Sequence, residues 1–196
     1  MKNLRTALSL AAILAIAGTG AALADGPAIG ANAPSFQLTT IDGKPFSLAD
    51  AEKSNKAVVL MFIATKCPYS NAYNDRMRQM AADYSKKGIL FVGINSNNTE
   101  PEAEVKDHAQ KNKWDFTVVK DPGNKVADLY DAKRTPEVFV VGPDGKLLYH
   151  GRIDENYEEP AKVTSPDLKN ALDQILSGQS VAKTETKAFG CTIKRA

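Results

Sequence analysis

Two long runs of apolar residues stand out from the otherwise mixed pattern of hydrophobic and polar positions along this 196-residue chain. Residues 57–63 and 89–94 contain no polar side chain, which is typical of strands buried on both faces of a parallel sheet. Shorter runs rich in Val and Phe follow at 116–119 and 138–141. The pattern therefore predicts four central strands.

Segments with apolar residues at helical spacing alternate with these strands. The first begins at Pro68, since proline is favoured at the first position of a helix, and ends at Gly88. Three further helices are predicted at 102–113, 125–130 and 165–176.

Two hairpins complete the predicted order of elements. Residues 36–48 turn at Asp42-Gly43, and residues 138–150 turn at Pro143-Asp144-Gly145. The order is therefore hairpin, strand, helix, strand, helix, strand, helix, hairpin, helix. It favours an α/β fold, namely a three-layer α/β/α sandwich with a mixed central sheet and an N-terminal β-hairpin.

The first 24 residues have the features of a secretory signal. Lys2 and Arg5 supply positive charge, residues 7–17 form a short apolar core, and Ala22-Leu23-Ala24 has the small-x-small pattern of a cleavage site. This apolar run is shorter than the roughly 20 residues that a transmembrane helix needs. Cleavage after Ala24 predicts a periplasmic or secreted protein, and an uncleaved N-terminal anchor is the alternative.

The chain after residue 24 has the size and charge of a single domain. Removal of the 24-residue signal, which contains two basic residues and no acidic one, leaves 172 residues. These have 23 basic and 23 acidic side chains. This balance gives no indication of binding to nucleic acid, and no second apolar run is long enough to span a membrane. We expect a flexible lead at 25–32, one folded domain at 33–178, and a polar tail at 179–196 that carries Cys191.

Cys67 lies in the segment with the most chemical information, immediately after the strand at 57–63. Pro68 follows it and opens a helix. A thiol at a helix N-terminus is favoured as the reactive thiolate, and Lys66 adds a neighbouring positive charge. Ser70 stands where a Cys-x-x-Cys motif would have its second cysteine.

Seven short segments follow one another in an informative order. They are Ala33-Pro34-Ser35-Phe36-Gln37-Leu38, Asp42-Gly43-Lys44, Ala64-Thr65-Lys66-Cys67-Pro68, Asn95-Ser96-Asn97, Thr135-Pro136-Glu137-Val138-Phe139, Tyr149-His150-Gly151-Arg152-Ile153-Asp154 and Gly190-Cys191-Thr192-Ile193-Lys194. Together they resemble the redoxin branch of the thioredoxin fold, the alkyl hydroperoxide reductase / thiol-specific antioxidant family. A subgroup of that family combines Cys-Pro-Tyr with a C-terminal Gly-Cys-x-Ile-Lys segment. The resemblance extends over about residues 33–194 and implies a thioredoxin-like fold and a thiol-dependent oxidoreductase or antioxidant without a cofactor.

The resemblance also implies which residues contact the substrate. Thr135-Pro136 resembles the cis-proline element of the fold, which packs beside the active cysteine and pairs through its backbone with an incoming thiol substrate. We therefore expect a cis bond before Pro136, and substrate contacts at Thr65, Pro68, Thr135 and Pro136. A trans proline entering an edge strand is the alternative.

Cys67 is the candidate nucleophile. Its attack on a disulfide gives a mixed disulfide, and its attack on a peroxide gives a sulfenic acid; both products need a second thiol. Cys191, 124 positions further on, is the second of the two cysteines and the candidate resolving thiol. The expected partner is a thiol or disulfide protein, or a peroxide. The sequence leaves open the oligomeric state and whether the two cysteines pair within one chain.

The choice between a peroxide and a disulfide substrate stays open. Peroxidases of the family carry Pro-x-x-x-Thr-x-x-Cys, whereas this chain has Leu60 and Ala64 at the two defining positions. Arg76 and Arg134 are both candidates for the arginine that polarises a peroxide.

Two other functions are weighed against this one. Cys67, Cys191, His108 and His150 lack the spacing of metal ligands, and both histidines are predicted to be solvated, so no metal site is expected. The second hypothesis for the whole protein is a non-catalytic binding or chaperone module, in which a Cys67–Cys191 disulfide is purely structural.

Overall fold

The computed structural model describes residues 26–195, so the predicted signal and its cleavage site after Ala24 lie outside the described residues. The strands are β1 (Gln37–Thr39), β2 (Pro45–Ser47), β3 (Ala57–Ile63), β4 (Ile89–Asn95), β5 (Thr117–Lys120), β6 (Arg134–Thr135), β7 (Glu137–Val141), β8 (Leu147–Gly151) and β9 (Cys191–Thr192). The α-helices are α1 (Leu48–Ser54), α2 (Pro68–Ala72), α3 (Asn74–Ser85), α4 (Glu102–Lys111), α5 (Lys125–Leu129) and α6 (Asp167–Leu176).

The main sheet has the strand order β5-β4-β3-β7-β8, with β3 at its centre. β3 pairs in parallel with β4 and antiparallel with β7, and β8 then pairs antiparallel with β7. All seven residues of β3 are buried, as its unbroken apolar run predicts. The mixed central sheet is confirmed, and so is the N-terminal hairpin, which β1 and β2 form as a separate small sheet.

Successive side chains of β3 point into two different cores, because side chains alternate between the faces of a strand. Val59 and Met61 belong to a core that residues of α3, α4 and α6 complete. Leu60 and Phe62 belong to a second core with residues of the N-terminal hairpin, α1 and α5. Helices therefore cover both faces of the sheet, and the predicted thioredoxin-like three-layer sandwich is confirmed.

The helices differ from the prediction in two places. The predicted hairpin ended at Leu48 and no helix was expected after it, but residues 48–54 form α1, whose first turn is capped by the Ser47 hydroxyl accepting from the Asp50 N–H. The helix predicted from Pro68 to Gly88 consists of the two helices α2 and α3, which meet at Tyr73. The break leaves α2 as a short helix that begins at the candidate nucleophile.

Both ends of the described chain pack against the hairpin of β7 and β8. Near the start, Gly30 and Ala31 exchange backbone hydrogen bonds with Leu147. In the tail, residues 184–186 lie along the edge of β8, where they bond to the backbone of His150. The tail then reaches β6, with which β9 pairs antiparallel. Among residues 26–195, no helix is both long enough and apolar enough to cross a membrane.

Candidate active site

Cys67 is the N-cap residue of α2, directly after the loop that leaves the carboxyl end of β3. Its side chain is buried, and its Sγ accepts a hydrogen bond from the backbone N–H of Ser70 at 3.4 Å. Pro68 occupies the start of the helix, as predicted. The backbone donor and the helix start both favour negative charge on the sulfur.

Ser70 is fully buried and stabilises the turn instead of supplying a second sulfur. Its hydroxyl accepts a hydrogen bond from the Ala64 N–H at 3.2 Å. This bond joins the end of β3 to α2 across the loop that contains Cys67. A cysteine in this place would lose that strong acceptor, since sulfur is a weak one.

Thr135 lies between the two cysteines. Its carbonyl accepts a hydrogen bond from the Cys67 thiol at 3.1 Å, and its register partner in the β6–β9 ladder is Cys191. The peptide bond between Thr135 and Pro136 is cis, which confirms that prediction. The Thr135 hydroxyl is buried and has no hydrogen-bond partner among the described residues. The two-residue ladder brings Cys191 next to Cys67.

Both cysteines are free thiols, Cys67 buried and Cys191 half-buried. Burial raises the pKa of the Cys191 thiol to about 11, and a hydrogen bond with Cys67 and the charge of Cys67 act in the same direction. At neutral pH Cys191 is therefore protonated. A protonated Cys191 suits the thiol that reacts second, after Cys67.

Two carboxylates hold the loop before Cys67, and the sequence reasoning did not identify either. The buried Glu100 accepts from the backbone N–H groups of Thr65 at 2.9 Å and Lys66 at 3.1 Å. Glu104 accepts from the Thr65 hydroxyl and forms an ion pair with the Lys66 ammonium at 2.8 Å. Hydrogen bonds from Lys66 and Thr65 hold the pKa of Glu104 below its usual value. The Lys66 charge is thus directed to Glu104.

A polar network behind Glu100 connects it to β4 and β5. The side-chain amides of Asn95 and Asn97 donate to its carboxylate at 2.6 and 2.9 Å, and the Lys120 ammonium donates to Asn95 Oδ1 at 2.6 Å. The Asn95-Ser96-Asn97 segment was the signal available in the sequence. It follows β4, and the carboxyl ends of parallel strands such as β3 and β4 meet at one edge of the sheet.

An aromatic cluster of Tyr69, Tyr157 and Phe189 fastens the tail beside the cysteine turn. The Tyr69 ring lies 4.4 Å from that of Tyr157 and 6.2 Å from that of Phe189, measured between centroids. Phe189 comes two residues before Cys191. The cluster therefore stabilises the position of the tail next to α2.

The two candidate arginines are bound to other groups. Arg76 forms an ion pair with the buried Asp154 at 2.7 Å and also donates to the carbonyls of Asn156 and Tyr157. Arg134 donates to the Thr192 hydroxyl at 3.0 Å, on the tail. Arg76 is thus committed to a structural network, and Arg134 stabilises the segment that carries Cys191.

Both histidines are half-buried and have protein partners, so they are less solvated than predicted. His108 contacts the Asn74 amide at 3.2 Å. His150 bonds to the buried Glu137 at 2.8 Å and stacks on the Phe139 ring, with centroids 4.2 Å apart. In the part of the chain that the structure describes, no three His, Cys, Asp or Glu residues are arranged to hold a metal ion.

The molecule has the fold and the kind of site found in thioredoxin-fold oxidoreductases, with a cysteine at the start of a helix beside a cis-proline. Within that class, the chain belongs to the AhpC/TSA family, whose model matches residues 29–150. It is therefore an oxidoreductase enzyme, as predicted.

Three relatives show how far the similarity extends. The thiol-disulfide oxidoreductase ResA of Bacillus cereus is 29% identical over 120 residues, which are 61% of this chain and 67% of the relative. The crystal structure of a hypothetical protein from Sinorhizobium meliloti 1021 is 31% identical, with a TM-score of 0.80 over 86% of this chain and 95% of that one. An uncharacterized conserved protein from Geobacillus kaustophilus is 34% identical, with a TM-score of 0.80 over 86% and 93% of the two chains.

Proposed function

We propose that the protein is an exported thiol–disulfide oxidoreductase in which Cys67 attacks a disulfide and Cys191 resolves the product. The observation that carries the proposal is the position of Thr135, which binds the Cys67 thiol through its carbonyl and faces Cys191 in the β6–β9 ladder. Similarity to a relative named as a thiol-disulfide oxidoreductase supports the same reaction class.

The reaction takes place in two exchange steps. The Cys67 thiolate attacks one sulfur of the substrate disulfide, forms a mixed disulfide, and releases the other substrate sulfur as a thiolate. The Cys191 thiolate then attacks Cys67 Sγ and releases the remaining substrate thiolate. The substrate gains two electrons, and the protein is left with a Cys67–Cys191 disulfide that an external dithiol must reduce. The second attack requires the loss of the Cys191 proton.

A disulfide suits this site better than a peroxide does. Leu60 and Ala64 replace the proline and threonine of the family's peroxidases. Arg76 is held by Asp154, and Arg134 bonds to Thr192. Peroxide reduction needs a donor that polarises the O–O bond, and the two arginines considered for that role have other partners.

The substrate-binding residues are proposed to be Thr65, Pro68, Thr135 and Pro136. Pro68 is exposed at the start of α2, and Thr65 is half-buried in the loop before Cys67. Thr135 and Pro136 are buried, and the Thr135 carbonyl accepts from the Cys67 thiol. We propose that a protein disulfide contacts these residues when it reaches Cys67.

Export and domain organisation are part of the same proposal. We infer cleavage after Ala24, a domain at 33–178 and a tail at 179–196, in a periplasmic or secreted protein. An oxidising compartment suits a protein whose two cysteines cycle between thiol and disulfide. Expression of the full chain in a bacterium, followed by cell fractionation and mass measurement, tests this: a protein that retains residues 1–24 would contradict it.

The exchange mechanism is tested by mapping the product of a single oxidation. The reduced protein is mixed with one equivalent of a small disulfide or of hydrogen peroxide, and the products are identified by mass spectrometry. We expect a Cys67–Cys191 disulfide in the wild type, a trapped mixed disulfide on Cys67 in Cys191→Ser, and faster reaction with the disulfide. Ser54→Ala, an exposed change on α1, is the control, since it retains both thiols and the Cys67 turn.

Three results would contradict the proposal. Oxidation that never links Cys67 to Cys191 would exclude the two-cysteine mechanism. A much faster reaction with hydrogen peroxide would make the protein a peroxidase. A bond that forms but resists mild reductants would favour the structural disulfide of a binding module.

A further inference from the structure

The side chain of Asn97 forms hydrogen bonds toward both segments that carry a cysteine. It is buried, 5% exposed, in the loop that follows β4. Its Nδ2 donates to Glu100 at 2.9 Å, and its Oδ1 accepts from the backbone N–H of Lys194 at 2.7 Å. The next residue, Asn98, donates its backbone N–H to the Lys194 carbonyl at 2.8 Å.

These bonds connect the Cys67 turn to the Cys191 tail. On one side, Glu100 accepts from the backbone of Thr65 and Lys66, the two residues before Cys67. On the other side, Lys194 is three residues after Cys191. A single amide therefore links both halves of the pair through one carboxylate and one backbone group.

We propose that Asn97 is a positioning residue that holds Cys191 in place to attack the sulfur bonded to Cys67. This inference rests on the proposed function, because it concerns the resolving step of that reaction. Attack within one molecule is fast only when the reacting atoms are held near each other in the right direction. A tail released at Lys194 samples more positions, so the effective concentration of Cys191 at Cys67 falls.

The chemistry of the side chain explains why an amide suits this place. A neutral amide offers a donor to Glu100 and an acceptor to Lys194 at the same time. A carboxylate would lose the donor and set a second negative charge against Glu100. An apolar side chain would leave the Lys194 N–H without this acceptor and would take one donor from the buried Glu100.

The β6–β9 ladder and the buried Ile193 keep the tail near its site when Asn97 is changed. We therefore expect Asn97→Ala to loosen the tail without detaching it. Resolution should slow about tenfold, whereas the first attack by Cys67 should change by less than about twofold, since Glu100 still holds the turn.

Both steps can be followed by mixing the mature, reduced protein with an aromatic disulfide and recording the absorbance of the coloured thiolate that it releases. Cys67 attack releases the first equivalent of thiolate, and Cys191 resolution releases the second. Cys67→Ser and Cys191→Ser assign the two phases. The equilibrium of the Cys67–Cys191 bond with glutathione is a second readout, in which a tenfold weaker bond corresponds to about 30 mV.

Asn112→Ala is the matched control. The Asn112 amide also donates and accepts, to the His108 carbonyl and from the Asn74 amide, but it contacts neither cysteine segment. This variant therefore shows how the loss of a comparable amide network affects stability when neither cysteine segment is touched. We expect both phases of this variant to match the wild type.

Lys194→Pro is a second variant that leaves Asn97 intact. It removes the N–H that Asn97 accepts, at an exposed position, while Lys194→Ala retains that N–H and controls for the side chain. We expect slow resolution in Lys194→Pro alone. This pair decides the question if Asn97→Ala does not fold.

The outcomes separate this inference from the proposed function. Equal second phases in wild type, Asn97→Ala and Lys194→Pro would overturn the positioning role while the two-cysteine mechanism stands. A first phase slowed as much as the second would also overturn it, because that result indicates general damage. A wild type that never forms the Cys67–Cys191 bond would remove the proposed function itself.

Discussion

Cys191 lies directly opposite Thr135 in the antiparallel pair of β6 and β9, although the two residues are 56 positions apart in the sequence. Because the Thr135 carbonyl also accepts from the Cys67 thiol at 3.1 Å, this pairing defines where the second sulfur sits relative to the first. The catalytic proposal depends on keeping a two-residue ladder intact. The following predictions test the contacts that hold it.

Gly190→Ala should misplace Cys191. Gly190 has a φ of +141°, and a Cβ on it would lie 2.1 Å from the Thr135 carbonyl oxygen. The backbone must therefore move away from β6, and we expect formation of the Cys67–Cys191 disulfide to slow at least about tenfold. The colour change of the aromatic disulfide measures this rate.

Gly178→Ala is the control for that change. Gly178 also has a positive φ, +70°, but open space surrounds the position of its Cβ. It should cost about 1 kcal/mol of stability, without slowing the disulfide step. Equal rates in the two alanine variants would show that the close approach to Thr135 is unimportant.

The resolving step should accelerate with pH. Burial and the neighbouring Cys67 raise the pKa of Cys191 to about 11, so its thiolate fraction rises about tenfold per pH unit between pH 7 and 9. Stopped-flow rates for the second thiolate should follow this slope. Once Cys67 is in a mixed disulfide its charge is gone, so the pH at which half of Cys191 is ionised should fall below 11. A resolution rate independent of pH in this range would contradict protonation of Cys191 as the limiting condition.

Glu100→Gln should destabilise the loop that presents Cys67. The carboxylate of this buried residue accepts from two backbone N–H groups and from the amides of Asn95 and Asn97. The NH₂ group of a glutamine cannot accept these hydrogen bonds and would face N–H donors instead. We expect this to lower the free energy of unfolding by about 2–3 kcal/mol. Urea unfolding measures the loss, and alkylation of Cys67 reports the changed turn.

Glu102→Gln is the matched control, two residues further along the chain at the start of α4. Glu102 is exposed in the first turn of α4, so its neutralisation should change the free energy of unfolding by less than about 0.5 kcal/mol. If Glu100→Gln lowered the free energy of unfolding by as little as Glu102→Gln, the Glu100 carboxylate would not be needed to hold the turn.

Asp167 should make the start of the tail sensitive to acid. It is buried, and it accepts from Arg152 Nε and Lys183 Nζ at 2.7 Å each. Burial opposes its ionisation, but hydrogen bonds from Lys183, Arg152 and Ser165 outweigh this and hold its pKa below the usual value. Its contribution is therefore complete above about pH 4 and disappears as the pH falls through the lower folded-state pKa.

We expect Asp167→Asn to lower the free energy of unfolding by about 2 kcal/mol at pH 7, and the difference from wild type to shrink as the pH falls below about 4. Denaturation curves at several pH values test this. The exposed Asp115→Asn is the control and should show a much smaller loss. A difference between wild type and Asp167→Asn that persists undiminished at low pH would exclude the ionised carboxylate as its source.

The local sequence determined most of the elements of this protein. The apolar run at 57–63 has the same bounds as β3, and Pro68 lies at the start of a helix as predicted. Alternation of strands and helices was sufficient for the three-layer fold. α1 was missed because its seven residues adjoin a hairpin, and a short helix capped by Ser47 has too few turns to show a helical period.

Only the tertiary structure decided how the site is assembled. Sequence spacing identifies Cys67 as a candidate, because a thiol between a buried strand and a proline-initiated helix is a local pattern. It does not place Cys191 opposite Thr135, nor Glu100 and Asn97 between the turn and the tail, because these contacts join residues far apart in the chain. Such contacts depend on where the sheet, α4 and the tail meet after folding. The candidate nucleophile was therefore visible in the sequence, whereas the arrangement of its proposed partner and of the groups that hold both segments came from packing.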